Sequence, residues 1–286
     1  MNLIDVSVVI PFYSKESGRL NNAVKSVLKQ TVESIEVIVV DDGSPISAEN
    51  ELKELNDPRI KIFKHAQNSN GGIARNTGIN NAVGKFIAFL DYDDIWYQDK
   101  LEQQLAFWHS LNDSGAVIYC KCKIIEGKRI FYRPERGIKP YEKVGNYLFE
   151  SKQIIQTSGI FLSAKLAKKV KFHNLKRHQD YQFCLSLESE GAKFYYLNSV
   201  LYEFIQVPKL NDYNFSLEWL NKYSEFLTPA AIVGFKKLVV LRSKISHGRY
   251  YEAFKYSAKN GFPAYYLKAV LAKLIKSLIA RLRRSL

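Results

Sequence analysis

Short apolar runs rich in β-branched residues alternate with helical periodicities through the first half of the chain. Val6 to Ile10 (VSVVI) predicts a strand buried on both faces. Leu20, Ala23, Val24, Val27 and Leu28 then fall at helical spacing, and Glu36 to Val40 (EVIVV) predicts a second strand. A short helix around Ala48 to Leu55 is punctuated by the Asp57-Pro58 turn before a third strand at Ile60 to Lys64. A helix at Ile73 to Ala82, a strand at Phe86 to Leu90 and a helix at Gln98 to Leu111, with Leu105 and Trp108 on its apolar side, come next. Ala116 to Cys122 predicts a further strand, and Glu126-Gly127 a hairpin turn into Ile130 to Arg133.

Pro134 to Ile155 follows neither period and reads as loop with a short helix near Tyr147. Beyond it the pattern gives a strand at Gly159 to Leu162, helices at Ala164 to Val170 and Tyr181 to Glu190, the latter stopped by Gly191, and strands at Phe194 to Leu197 and Leu201 to Ile205. Alternation of this kind is the signature of an α/β fold with a mostly parallel sheet flanked by helices. The expected boundary lies near Pro208 to Asn211, dividing a domain over 1–210, with halves 1–110 and 111–210, from a helical appendage over 211–286. Helices are expected there at Val233 to Ile245 and Tyr250 to Ala258.

With 286 residues, 47% of them hydrophobic, the chain can bury a sizeable core. No run of about 18 to 20 apolar residues occurs, and no signal-peptide zones precede Val6, so a cytosolic location is expected unless the chain docks on a membrane. Cys120, Cys122 and Cys184 are too few for a disulfide framework and lack a second ligand pair for zinc, so they read as reduced packing residues. The net charge of +14 is unevenly placed. From Phe226 onward there are thirteen Lys or Arg against the single acid Glu252, a net +12, whereas the first 225 residues hold 29 bases and 27 acids. An anionic surface is the expected partner of that appendage.

The candidate chemistry sits at strand ends. Asp91-Tyr92-Asp93-Asp94 follows the strand ending at Leu90, so its carboxylates emerge at the carboxyl edge of a sheet, where open α/β folds bind ligands. Clustered acids call for a cation, and Mg²⁺ or Mn²⁺ completed by diphosphate oxygens suits these hard ligands. The plainer reading is a solvated turn with Asp94 capping the next helix. Asp41-Asp42-Gly43-Ser44 stands likewise at the end of the second strand, placed to accept hydrogen bonds from a base or ribose, with Ser44 or Ser47 also available as a helix cap. Gly71-Gly72 matches neither the Rossmann nor the P-loop pattern. His65, His109, His173 and His247 fall at no metal-ligand spacing and read as ordinary.

Five ordered segments carry a resemblance: Val8 to Tyr13 (VVIPFY), Ser26 to Thr31 (SVLKQT), Glu36 to Ser44 (EVIVVDDGS), Asn70 to Asn76 (NGGIARN) and Leu90 to Asp94 (LDYDD). In order and spacing they resemble the inverting family 2 glycosyltransferases of GT-A fold. The resemblance implies that Pro11 and Tyr13 line a nucleoside pocket, that Asp42 grips the base with Asp41 beside it, and that Arg75 lies near the nucleotide. It implies Asp93 as the direct metal ligand and Asp91 as holder of the sugar-nucleotide or a metal-bound water, with Tyr92 counted among the donor-binding residues. Ser14 departs from the Asn common after the Tyr, but its hydroxyl can still make a local turn bond. Inverting transfer needs a base for the acceptor hydroxyl, and Asp180 in Lys176 to Tyr181 (KRHQDY) is the candidate, the alternative being a helix N-cap. Arg177 and His178 beside it read as support or solvent-facing.

In the tail, Leu267, Val270, Leu271, Leu274, Ile275, Leu278, Ile279 and Leu282 form a helical apolar stripe, with Lys268, Lys273, Lys276, Arg281, Arg283 and Arg284 around it. This reads as a helix in a membrane interface, or alternatively as one packing its stripe on protein. The combined expectation is a metal-dependent transferase using a nucleotide-sugar donor and a glycan or polyprenyl-diphosphate-linked acceptor at the inner face of the plasma membrane. A nucleotidyltransferase is the runner-up. The acidic cluster and the confinement of charge to the tail argue against a nucleic-acid partner.

Overall fold

A computed structural model of the protein describes residues 4–207 and 210–282, with the side chains of 276, 277 and 279–282 left out of the description. Two compact units emerge, Met1–Val144 with Gln153–Val207, and Gly145–Lys152 with Pro208–Leu286. Of the expected boundary, Pro208 and Lys209 lie outside the described residues.

The first unit is built on one mixed sheet. Strands β1 (Val6–Phe12), β2 (Ile35–Asp41), β3 (Ile60–Lys64) and β4 (Phe86–Phe89) are mutually parallel in the order β3-β2-β1-β4. Every residue of β1, β2 and β4 is buried, the burial that a parallel strand covered on both faces requires. Beyond β4 come β8 (Phe161–Ser163), β6 (Ala116–Glu126), β9 (Lys193–Ile205) and β5 (Ile95–Trp96), with β7 (Arg129–Arg133) hairpinned onto β6. The strand β8 runs antiparallel to both β4 and β6, so the parallel half ends there.

Alternate residues of β1 serve opposite layers. Val6, Val8, Ile10 and Phe12 join Leu20, Ala23, Val24 and Val27 of helix α1 (Arg19–Leu28) in one core cluster. After the short helix α2 (Ala48–Leu52) comes α3 (Gly71–Asn81), which lies so close to β1 that a Cβ on Gly78 would stand 2.4 Å from Val9 Cγ1. Pairing of β1 with β4 ends at Val9, whose carbonyl accepts from Leu90 N–H. Two residues on, Pro11 points the same way with no N–H to donate, so the proline stands where β4 has already left the ladder. The sheet edge is thereby open just where the acids emerge.

The structure differs from the sequence reading at several elements. The expected strands at Phe194 to Leu197 and Leu201 to Ile205 are one strand, β9, in which the polar Asn198-Ser199 pair is a bulge against β6 rather than a turn. The helix expected from Gln98 is α4 (Lys100–Leu111), because Ile95–Trp96 form β5 on the edge of β9. The expected helix at Tyr181 is α6 (Gln179–Ser189), which follows α5 (Ala164–Val170).

The second unit is helical. Helix α7 (Tyr213–Tyr223), which the periodicity did not reveal, is capped by Asp212, which accepts from the N–H groups of Asn214 and Phe215. Helix α8 (Pro229–Phe235) has Thr228 as cap and a proline at its start, and runs through a π-helical stretch, Lys236–Leu241, into α9 (Arg242–Ser246). Helices α10 (Tyr250–Lys259) and α11 (Pro263–Leu282) complete the unit. Near Tyr147 the expected helix is a single π-turn, Asn146–Glu150, whose Phe149 meets the stacked Trp219–Phe235 pair edge-on.

Because Val9 is stiff and central, Gly78→Ala is expected to lower unfolding stability by about 1–3 kcal/mol, read from the urea midpoint at unchanged slope. A midpoint equal to the parent's would show that α3 can withdraw from β1 at no cost.

Candidate active site

Parallel pairing brings the ends of β1, β2 and β4 to one edge, and with them Tyr13, Asp41-Asp42 and Asp91 to Asp94. Pro11 is buried within β1, while Tyr13, just past it, is 40% exposed. The hydroxyl of Ser14 accepts from Glu16 N–H and donates to Glu16 carbonyl, the local turn bond expected of it.

The two adjacent acids face different ways. Asp41 is fully buried, its Oδ1 accepting from Ser44 N–H at 2.7 Å and its Oδ2 from Ala48 N–H at 2.8 Å. Asp41, expected beside the base, uses both oxygens to hold the loop that leads into α2. Asp42 Oδ1 accepts from Ser69 N–H at 2.9 Å and meets His65 Nδ1 at 2.7 Å, while His65 Nε2 lies 2.9 Å from Thr77 Oγ1 on α3. Gly43 allows this arrangement, with a φ of +67° and a position where a Cβ would stand 2.8 Å from Asn68 N.

At the end of β4 the carboxylates are bound by donors from three elements. Arg75 on α3 pairs through Nη2 with Asp91 and through Nη1 with Gln179 Oε1 at 2.9 Å. Asp91 also accepts from Thr157 Oγ1 at 3.1 Å and Gln156 Nε2 at 3.1 Å. That amide donates to Asp94 Oδ2 at 3.0 Å as well, and Ser158 Oγ donates to the same oxygen at 2.6 Å. Asp94 is fully buried, and burial first, with the Asp91 charge second, holds its carboxyl far above the usual carboxylate range. It caps no helix, since α4 begins after Asp99. Asp93 is more open, with Arg19 Nη1 at 3.9 Å, and Tyr92 packs edge-on against Phe12 at 5.4 Å.

A cleft of about 300 Å³ adjoins this cluster, lined by Arg75, Asp91, Gln156, Thr157, Asp180 and neighbours that include Lys176 and Arg177. Asp180 sits in the first turn of α6, while the cap position belongs to His178, at a φ of 60°. Burial, and after it the negative charge of Asp91, push the Asp180 carboxyl up to about 6. Burial and Arg177 bring His178 down to about 4, so this imidazole is neutral at physiological pH. Thus Arg75, Asp91 and Asp180, far apart in sequence, meet in one cleft. Asp42 and Tyr13 belong to the neighbouring β1–β2 edge. The segment Gln156-Thr157-Ser158 and His65 were not singled out as functional by sequence reasoning.

The sequence and the fold are similar to those of known proteins. Residues 7–171 match the family described as glycosyl transferase family 2. The chain is 30% identical over 300 residues to the amylovoran biosynthesis glycosyltransferase AmsB of Erwinia amylovora, covering 96% of this chain and 98% of that protein. This chain belongs to glycosyl transferase family 2. An uncharacterized glycosyltransferase of Rickettsia conorii is 40% identical over 135 residues, of which this chain spans only 21% of the length. Among solved structures, S. aureus TarS 1-349 in complex with UDP-GlcNAc superposes with a TM-score of 0.60 at 20% identity, over 85% of this chain and 73% of that one. The fold is accordingly the α/β, GT-A-like one, a curled mixed sheet flanked by helices. Family membership sets the nucleotidyltransferase alternative aside.

The residues of this glycosyltransferase also bear on a divalent cation. Among the described residues no group of three or more His, Cys, Asp or Glu is arranged to hold one. The donor set nonetheless fits Mg²⁺ or Mn²⁺ bound through one or two carboxylates and completed by substrate oxygens: hard oxygens, in a site where burial first and neighbouring acids after it raise both Asp94 and Tyr92.

The raised Asp180 carboxyl has a consequence for stability. Its folded value of about 6 lies above the ordinary 3.8, so between those pH values the folded state binds more protons than the unfolded one and loses stability as pH rises. Asp180→Asn removes that loss. The variant is expected to melt with the parent near pH 4 and above it at pH 7; a constant offset at both would refute the burial argument.

Proposed function

We propose that this glycosyltransferase moves a sugar, with inversion, from a nucleotide-sugar to an acceptor hydroxyl, with Asp180 as the base. The donor is a UDP-hexose or UDP-N-acetylhexosamine, and the acceptor a polyprenyl-diphosphate-linked glycan of O-antigen or capsule assembly. The carrying observation is Asp180, a carboxyl made more basic than usual, in the same cleft as the Arg75–Asp91 pair. The name of AmsB, an amylovoran biosynthesis enzyme, and the UDP-GlcNAc bound to TarS support the choice of polymer and donor.

At about 6, Asp180 is mostly ionised at neutral pH yet remains a useful proton acceptor. It takes the proton of the acceptor hydroxyl as that oxygen bonds to the anomeric carbon; the bond from that carbon to the diphosphate oxygen breaks on the opposite face, and nucleoside diphosphate leaves with the electron pair. Arg75 and Gln156 hold Asp91 against the donor sugar, and Tyr13 and Asp42 bind the nucleoside, with Pro11 beneath them. Asp93, with Asp91 beside it, would hold Mn²⁺ or Mg²⁺, which supplies Lewis-acid stabilisation of the departing diphosphate.

The tail supports a place on the membrane surface. No helix among the described residues is long and apolar enough to cross a membrane. Helix α11 packs Tyr265, Tyr266, Ala269 and Val270 into its own unit but leaves Leu267, Leu271, Leu274, Ile275 and Leu278 each at least half exposed. An exposed apolar stripe in a region so rich in Lys and Arg suits anionic headgroups and supports a peripheral location on the inner face of the plasma membrane. Of the expected cations, Lys276, Arg281, Arg283 and Arg284 lie outside the described side chains, as do Ile279 and Leu282 of the stripe.

Asp180→Asn is expected to cut turnover by about 10²–10⁴-fold while UDP binding by calorimetry stays near the parent's, whereas Asp93→Ala loses the Mn²⁺-dependent part of UDP affinity. Equal loss of UDP affinity in both variants would overturn this division of roles. Glutamates in place of Leu271, Leu274 and Leu278 are expected to leave the protein in the supernatant when the parent sediments with anionic vesicles; co-sedimentation of both would remove the docking proposal.

A further inference from the structure

Asp42 carries two oxygens with unlike surroundings. Oδ1 is taken by His65 Nδ1 and Ser69 N–H, while Oδ2 meets no donor among the described residues. A carboxylate can only accept hydrogen bonds, so an oxygen left over at the nucleoside end of the site favours a base whose pairing-edge ring nitrogen carries a hydrogen. Uracil, thymine and guanine present one at the ring nitrogen that cytosine and adenine leave as an acceptor. That selection depends on which way the Asp42 carboxyl is turned.

We propose that His65 is the positioning residue that sets this selectivity. The ring is held at both nitrogens, Nδ1 at 2.7 Å from Asp42 Oδ1 and Nε2 at 2.9 Å from Thr77 Oγ1. The Thr77 hydroxyl can donate to Nε2, which leaves the imidazole hydrogen on Nδ1, pointing at the acid. Thr77 belongs to α3, two residues after Arg75, so the helix that fixes Asp91 also fixes the ring that orients Asp42. Asp42 is almost wholly buried, and a buried acid with one partner missing would turn to satisfy itself elsewhere. His65 thereby keeps Oδ1 occupied and Oδ2 for the base.

The inference rests on the reading that Asp42 grips the base, and the test separates the two. UDP and CDP binding are measured by calorimetry with Mn²⁺ for the parent, Asp42→Asn, His65→Ala, His65→Asn and Thr77→Val. His65→Ala is expected to weaken UDP about tenfold, the loss of one charge-assisted hydrogen bond, with CDP little changed. His65→Asn, whose amide nitrogen overlays Nδ1, recovers most of the UDP affinity, and Thr77→Val, which frees the ring, falls between. UDP affinity unchanged in His65→Ala, or UDP and CDP weakened equally without rescue by asparagine, overturns the positioning role. If Asp42→Asn binds UDP as the parent does, the base-gripping reading fails instead. Should His65→Ala not fold, the asparagine and valine variants carry the same comparison.

Discussion

Negative charge gathered at the carboxyl edge of a buried parallel sheet is the constraint on which this structure turns. Asp41, Asp42, Asp91 and Asp94 are all wholly or largely withdrawn from water, and an ionised carboxylate in such surroundings needs donors or a proton. Each acid meets that need differently. Asp41 receives two backbone N–H groups, Asp42 an imidazole and a backbone N–H, Asp91 a guanidinium with a hydroxyl and an amide. Asp94, the most deeply buried beside Asp91, is pushed toward its protonated form. The donors come from α3, from the loop after β3 and from residues 156–158, so satisfying the acids ties the layers of the first unit together.

That accounting also separates support from chemistry. Asp41 has both oxygens bound by backbone N–H groups of the loop into α2, whereas Asp94 has Oδ2 bound by Gln156 and Ser158 and Oδ1 buried without a hydrogen bond, in keeping with a protonated carboxyl. Asp93 is partly open, with Arg19 at 3.9 Å, and is the acid proposed to hold the cation, as Asp180 is the one proposed to take the proton. Two of the remaining acids therefore differ by environment rather than by residue type. Burial and a neighbouring anion raise Asp180 to about 6, while Asp91 has Arg75 against it.

The parallel half of the fold and the acids at its edge were legible because apolar β-branched runs stop abruptly at clustered carboxylates; the lone acid in the interior of β2, Glu36, is buried only because Lys61 and Ser7 pair with it. The Gln156-Thr157-Ser158 segment was not legible, since it lies at the end of an aperiodic stretch and gains meaning only from pairing. Strand β8 runs antiparallel to β4 with Ala88 opposite Phe161 and Phe86 opposite Ser163, so the residues before β8 fall beside those after β4. His65 follows by the same logic. Asp41 pairs with Lys64 in the β2–β3 ladder, so the next residues, Asp42 and His65, come side by side. A lone histidine carries no periodic signal; register supplies it. The short helix expected near Tyr147 is present as the turn Asn146–Glu150, but its π form was not legible, because five residues cannot express a helical period and the partners of Phe149, Trp219 and Phe235, lie far along the chain.

Helix α11 shows why its stripe supported two readings that are not in conflict. A helix that packs on its own unit needs one apolar face, and Tyr265, Tyr266, Ala269 and Val270 supply it. Leu267, Leu271, Leu274 and Leu278 recur at intervals of three and four, which keeps them on one side of the helix, and their exposure shows that this side is not the packed one. Two apolar faces on one surface helix cannot both be spent on the same core. Leaving the second in water costs about 25 cal/mol for each Å² of apolar area, a cost that recurs at every turn of the stripe. Isolated exposed leucines are common on protein surfaces; four in helical register, in a region with thirteen cations and a single acid, constitute a surface with a chemical preference. The proposed anionic membrane surface would satisfy both halves of that preference at once.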